Sequence, residues 1–314
     1  MQRDTPDYLA GLHRRLARGM PHIAEPTRLR QARYMLAQQR PDGGFAGRDG
    51  SSDLYYTSFA LRSLGLLGEL HGDVAVRAGR FLRARLTGEA QIVDFLSLIF
   101  SAALLKLADG VDVFADKPDG WREAIAAALE QLRRTDGGYA KTAEGAASSL
   151  YHTFLVVVCL EVLGLPIIAA ERLEKFVSSR RRDDGGFVEM APMKRSGTNP
   201  TAAAVGLLKI LRALDPAARN QTVEFLSGMQ TEQGGLRANT RIPIADLLST
   251  MTGCLTLADL DALPAAIDVP AARAYAESLE SLDGGFHGAA WDTGCDVEYT
   301  FYGLATLALL CTPG

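Results

Sequence analysis

The chain has 314 residues, of which 47% are hydrophobic and 22% charged, which supplies a packed interior and excludes wholesale disorder. Its 33 Lys and Arg against 37 Asp and Glu leave a net charge of −4 with both signs interspersed. That excludes a basic track for nucleic acid, and the densest basic run, Arg180-Arg181-Arg182, reads as a solvated helix end.

Met1 to Arg18 mixes charges with apolar residues and lacks a signal-peptide core. No apolar run reaches a membrane span, since even Phe154 to Leu165 is too short, so no transmembrane segment is expected. Cys159, Cys254, Cys295 and Cys311 show no C-x-x-C spacing and read as reduced thiols, and the chain reads as cytoplasmic.

A Gly pair after a polar or acidic residue recurs at Gly43-Gly44, Gly137-Gly138, Gly185-Gly186, Gly234-Gly235 and Gly284-Gly285. The last three steps are 48, 49 and 50 residues and the first is 94, so a degenerate unit is expected between the first two pairs, at Gly88 and the Asp94-Phe95-Leu96-Ser97 run. Six repeats result. Each opens with an amphipathic helix: Leu29 to Gln39, Val74 to Leu86, Arg122 to Arg133, Glu171 to Ser179, Asn220 to Met229 and Ala271 to Leu282. The Gly pair is expected to end that helix in a left-handed conformation. The following Phe45, Tyr139, Phe187, Leu236 or Phe286 is expected to pack back on it.

Second helices start at Asp53-Leu54-Tyr55-Tyr56-Thr57, Ser149-Leu150-Tyr151-His152-Thr153, Asp246-Leu247-Leu248-Ser249-Thr250 and Asp296-Val297-Glu298-Tyr299-Thr300, with divergent starts at Asp94 to Leu98 and Gly197 to Thr201. Their bodies, such as Ser58 to Leu67 and Phe301 to Leu310, are almost wholly apolar, and a helix apolar on every side is buried on every side. The expected fold is all-α, with amphipathic outer helices around apolar inner ones. Because the last helix lacks the polar outer face of a solenoid cap, a closed ring is favoured over an open one. A helical N-terminal extension over 1–26 and a single ring over 27–314 are expected.

Asp42-Gly43-Gly44-Phe45-Ala46-Gly47-Arg48, Ser149 to Thr153, and Tyr299-Thr300-Phe301-Tyr302-Gly303-Leu304-Ala305 resemble the prenyltransferase and squalene-cyclase repeat, nearest to protein prenyltransferase β subunits. The resemblance covers the chain from about Thr27 onward and implies an α/α toroid, a six-hairpin α-α barrel. The same barrel serves protein farnesyl- and geranylgeranyltransferases, terpene cyclases and thioester-containing defence domains, and the Cys-Gly-Glu-Gln thioester motif is absent here. In a toroid the inner-helix N-termini converge at one mouth, whose partial positive charge suits an anion, above an interior suited to an isoprenoid. An isoprenoid diphosphate or another isoprenoid is therefore the expected occupant. A helical partner subunit or self-association is implied by the family.

In the transferases an Asp-x-Cys-Tyr element holds zinc and diphosphate. Asp296-Val297-Glu298-Tyr299 matches it with Glu298 in place of the cysteine, Asp296 at the metal Asp and Tyr299 at the diphosphate Tyr. The first repeat offers Arg48, Asp53 and Tyr56, with Tyr55 where the thiolate belongs, and Tyr151-His152-Thr153 matches the zinc His from a distant repeat. Zinc is thus implied by the family, with its Cys ligand missing. Class II cyclases carry Asp-x-Asp-Asp-Thr at an inner-helix start, and Asp296 to Thr300 departs from it at Glu298 and Tyr299, so Glu298 with Asp296 is the candidate general acid. Asp296, Glu298 and Asp53 are the catalytic or metal candidates; Arg48, Tyr55, Tyr56, Tyr151, His152, Tyr299 and Tyr302 are the substrate-binding candidates. Beside these roles, Asp53, Ser149, Asp246 and Asp296 are favoured helix N-caps, and His152 and the tyrosines suit a packed interior. The leading expectation is an isoprenoid-diphosphate-binding prenyltransferase of the β-subunit type, with a class II cyclase using Glu298 as acid and a noncatalytic lipid-binding or scaffold toroid as alternatives.

Overall fold

The computed structural model describes residues 8–86, 92–144 and 147–311. Among them, six apolar helices form an inner ring: α3 (Leu54–Leu67), α5 (Ile92–Asp109), α7 (Leu150–Val162), α9 (Thr198–Leu211), α11 (Leu247–Asp259) and α14 (Val297–Cys311). Each packs on the next, and α14 packs on α3. The ring is closed, as the apolar last helix suggested. The outer layer is α2 (Glu25–Ala37), α4 (Gly72–Ala84), α6 (Trp121–Glu130), α8 (Ala170–Ser179), α10 (Pro216–Ser227) and α13 (Val269–Ser278), with a single turn, α12 (Leu263–Ala266), before the last. The fold is an all-α toroid. Asp94 to Ser97 lie in the opening turns of α5, and Gly88 lies outside the described residues.

The Gly pairs work differently from the expectation that they cap the outer helices. Helix α2 ends at Ala37 with Gln38 still in a right-handed conformation, and Gly43 belongs to a separate turn closed by Gly43 N to Arg40 O and Arg40 N to Gly44 O. The first glycine of each pair takes a φ between 83° and 98°, which a side chain would strain. The second faces an aromatic ring of the following outer helix. A Cβ there would come within 2.3 Å of Phe81 at Gly44, 2.3 Å of Phe176 at Gly138, 2.7 Å of Phe225 at Gly186 and 2.4 Å of Tyr275 at Gly235. At Gly285 the ring is that of Tyr34 on α2, at 2.8 Å, so the last turn seats on the first helix by the same contact that joins every other pair.

The residue after each pair is buried, from Phe45, Tyr139 and Leu236 at 0% to Phe187 at 2% exposure. Its backbone N–H donates to the first-turn Thr of the next inner helix: Phe45 to Thr57 (2.9 Å), Tyr139 to Thr153 (2.9 Å), Phe187 to Thr201 (3.0 Å), Leu236 to Thr250 (2.9 Å) and Phe286 to Thr300 (3.3 Å). A buried N–H must find a partner, and this is why a Thr recurs at that position. The only sheet structure among the described residues is local to these loops: β1 (Tyr139–Ala140) pairs antiparallel with β2 (Ser148–Ser149), and β3 (Phe286–His287) with β4 (Cys295–Asp296).

Helix α1 (Tyr8–Gly19) lies across the end of the ring where the inner helices finish. It packs on α14, α7 and α3. Its Tyr8 donates to Asp259 Oδ2 at 2.9 Å, Arg15 pairs with Asp259 Oδ1 at 2.9 Å, and Lys209 meets the same oxygen at 2.8 Å. Gly19 approaches α14 so closely that a Cβ would lie 2.0 Å from the Ala308 carbonyl oxygen. The interior is therefore floored by α1 and opens at the end where the inner helices begin. No described helix is long and apolar enough to cross a membrane.

Candidate functional site

The inner-helix starts are built as the N-cap preference requires. Asp53 accepts from Tyr56 N at 2.7 Å, Ser149 from His152 N at 3.1 Å, Asp246 from Ser249 N at 2.7 Å and Asp296 from Tyr299 N at 2.8 Å. Below them lies a cavity of about 610 Å³, within the range of roughly 300–1,000 Å³ typical of small-molecule sites. Its walls are mainly apolar: Phe59, Phe100, Phe154, Leu155, Val158, Met251, Leu255 and Phe301 come from the ring, and Leu9 and Leu12 from α1. A second, polar pocket of about 490 Å³ occupies the mouth between the first and last repeats, lined by Arg48, Asp49, Tyr56, Trp291, Asp292, Asp296, Glu298 and Tyr299.

Glu298 lines both spaces. One carboxylate oxygen, Oε1, accepts from the Tyr55 hydroxyl at 2.6 Å and from the Tyr302 hydroxyl at 3.0 Å. Burial raises its pKa above the ordinary carboxylate value, and nearby Asp296 adds to the rise; the two tyrosine donors and Arg62 act in the other direction. The same burial, with Glu298 beside them, pushes the Tyr55 and Tyr302 hydroxyls up, so they stay protonated donors.

At the mouth, Arg48 is committed. Its Nη1 and Nη2 hold Asp292 at 2.7 and 2.5 Å and its Nε holds Asp296 at 3.0 Å, while the guanidinium lies 5.6 Å from the Tyr299 ring centroid. Hydrogen bonding to Arg48 draws the Asp292 carboxyl down to about 2. Asp292 also accepts from Gly288 N and Gly294 N and so organises the loop that carries it.

Arg48, Tyr55, Tyr56, Asp296, Glu298, Tyr299 and Tyr302 thus come together, and Tyr151 reaches the cavity from α7. Asp53 and His152 do not join them: Asp53 caps α3, and His152 Nδ1 is 2.7 Å from Ser149 Oγ, its pKa lowered first by burial and then by Lys141. Residues not singled out from sequence are Asp292, beside Trp291, and Arg62, a charge within an otherwise apolar helix. That second anomaly was the available signal.

The side chains present do not fit zinc. Among the described residues no three of His, Cys, Asp and Glu group as a donor set. Asp296 is held by Arg48 and the Tyr299 N–H, Oε1 of Glu298 by two tyrosines, and Cys295 lies 3.5 Å from His287 Nδ1 rather than in either pocket.

No curated protein matches the sequence significantly. Among solved structures, protein geranylgeranyltransferase-I of Candida albicans, complexed with GGPP, superposes with a TM-score of 0.74 at 16% identity over 90% of this chain and 90% of that one. The type II terpene cyclase MstE from Scytonema, in complex with geranylgeranyl dihydroxybenzoate, gives 0.63 at 14% identity over 96% and 98%. A protein from Actinoplanes gives 0.60 at 17% over 92% and 98%. At these identities the likeness is one of fold. The family model of the prenyltransferase alpha-alpha toroid domain matches residues 21–78, 89–241 and 201–313, and the chain belongs to that family.

Proposed function

We propose that this toroid is an isoprenoid-transforming enzyme of the class II cyclase type, with Glu298 as the acid that protonates a carbon–carbon double bond of a chain held in the cavity. The observation that carries the reading is the position of Glu298: it stands at the junction of the apolar cavity and the polar mouth, its pKa raised first by burial, with Oε1 fixed by Tyr55 and Tyr302. In the step, a proton passes from the carboxyl to one alkene carbon. The π electrons form the new C–H bond and leave a carbocation, which an internal alkene attacks before a proton is lost. The two hydroxyls on Oε1 stabilise the carboxylate as it forms, and the mouth gives water access to restore its proton. Rings of Tyr151, Phe154 and Tyr302 line the space in which the cation develops.

A second reading, a prenyltransferase taking an isoprenoid diphosphate, is favoured by the meeting of Arg48, Tyr56 and Tyr299 at the mouth. Against it stand three aspartates in that pocket, Asp49, Asp292 and Asp296, facing one guanidinium already paired twice. Replacing Glu298 by Gln separates the readings. The acid reading expects ligand binding to persist and turnover to vanish; unchanged turnover would remove it.

A further inference from the structure

The cavity contains a cation that the reaction just described does not use. Arg62 lies two turns into α3 and lines the cavity. Its guanidinium carbon is 4.2 Å from the Phe59 ring centroid, 4.3 Å from that of Phe301 and 5.7 Å from that of Phe100. Nε donates to the Ser58 carbonyl at 3.2 Å. Among the described residues neither terminal nitrogen makes a hydrogen bond or an ion pair, and neither is sealed from the cavity as a buried orphan donor. The polar groups nearest to it are the hydroxyls of Tyr302, Tyr55 and Tyr151 and, beyond them, Glu298.

A guanidinium withdrawn from water without a paired anion is unfavourable. Contact with the Phe59 and Phe301 rings offsets part of that penalty but satisfies none of the terminal N–H groups, which prefer a planar acceptor with two oxygens. The fixed charge also bears on the chemistry above it. A carbocation is repelled by a neighbouring guanidinium, and the faces of Phe59 and Phe301 that would soothe it are already covered. An anionic end of the ligand bound beside Arg62 neutralises that charge, so the polar end belongs there.

We propose that Arg62 is the headgroup subsite of the cavity and that the ligand is an isoprenoid bearing a carboxylate, bound with that carboxylate on the two terminal nitrogens of Arg62. A single negative charge balances the single guanidinium, whereas a diphosphate would leave excess negative charge buried in an apolar chamber. The hydrocarbon then lies against the apolar wall formed by Leu155, Val158, Ala203, Met251 and Leu255. This substrate class rests on the isoprenoid reading given above, but its test does not depend on turnover.

The test is calorimetric titration of the full chain at pH 8 with farnesoic acid, farnesol, farnesyl diphosphate and palmitate, for the wild type and for Arg62→Met and Arg62→Lys. Farnesoic acid is expected to bind at least tenfold more tightly than farnesol and than farnesyl diphosphate. Arg62→Met should reduce its affinity to that of farnesol while leaving farnesol unchanged, and Arg62→Lys should retain part of the preference. Equal binding of acid and alcohol by the wild type, tighter binding of the diphosphate, or a preference that survives Arg62→Met would overturn the proposal. Palmitate binding as well as farnesoic acid would assign the cavity to straight-chain acids and overturn the isoprenoid part. Glu298→Gln with intact acid preference but intact turnover would sink the catalytic reading alone.

Discussion

Tyr55 on the first inner helix donates its hydroxyl to Glu298 on the last at 2.6 Å, across a sequence separation of 243 residues, at the level where the cavity meets the mouth. The contact joins the seam of the ring to its candidate acid. Removing that donor should change the acid before it changes the fold. A hydrogen bond given to a carboxylate favours its charged form, so Tyr55→Phe raises the pKa of Glu298 further. Because the acid works protonated, activity falls as pH rises through that pKa, and the falling limb of the pH–rate profile should move to higher pH in Tyr55→Phe. A limb that moves to lower pH, or stays in place, would contradict the assignment.

The seam also carries Arg48 between Asp292 and Asp296. Asp292 has its folded pKa drawn down to about 2, so its stabilising share is present above the ordinary aspartate value and is lost as pH falls toward 2. Arg48 is 36% exposed, and solvent screening limits the share to about 1 kcal/mol. Asp292→Asn should lower the melting temperature by a few degrees at neutral pH and low salt, with the difference from wild type shrinking in molar salt and below pH 3. Equal melting curves at low salt would show that the pair contributes nothing.

The threonine that receives each loop N–H gives a test of the fold. Thr153→Val keeps the shape but strands the Tyr139 N–H and removes the bond from Thr153 Oγ1 to the Ser149 carbonyl at 2.6 Å. Leaving a buried donor unmet costs about 1–3 kcal/mol. Denaturant titration should show that loss with an unchanged slope, whereas a loss under about 0.5 kcal/mol, the scale of ordinary surface substitutions, would mean that the bond is replaceable.

The floor supplies the fourth prediction. Asp259 is buried and receives Tyr8, Arg15 and Lys209. Asp259→Asn should loosen α1, cost about 1–3 kcal/mol and speed release of a cavity-bound fluorescent isoprenoid. Release at the wild-type rate despite the loss of stability would show that ligand does not pass by α1.

The repeat, the inner and outer layers and the N-caps were legible because each follows from local pattern: Gly pairs near 48-residue spacing, apolar runs on the inner helices, and Asp or Ser at their starts. The true task of Gly44, Gly138, Gly186, Gly235 and Gly285 was not, since it depends on a ring about 40 residues further on, or, for Tyr34, at the other end of the chain. The site shows the same division. Glu298 and Asp296 stood out by their place in a motif, and Tyr55, Tyr56 and Tyr299 by theirs. Asp292 draws its meaning from Arg48, 244 positions away, and Arg62 draws its own from the rings of Phe59 and Phe301, the second of them on the last helix. His152, which matched the family's zinc His but from a distant repeat, answers to Ser149 on its own helix start.

The most direct test of the central claim is incubation of the wild type and Glu298→Gln with farnesoic acid and farnesol in deuterium oxide, followed by mass spectrometry of the recovered isoprenoid. An acid at position 298 predicts deuterium bonded to carbon after incubation with the wild type and none with Glu298→Gln, although both proteins bind the ligand equally. Bound isoprenoid that returns without deuterium from the wild type, or with as much from Glu298→Gln, would contradict it.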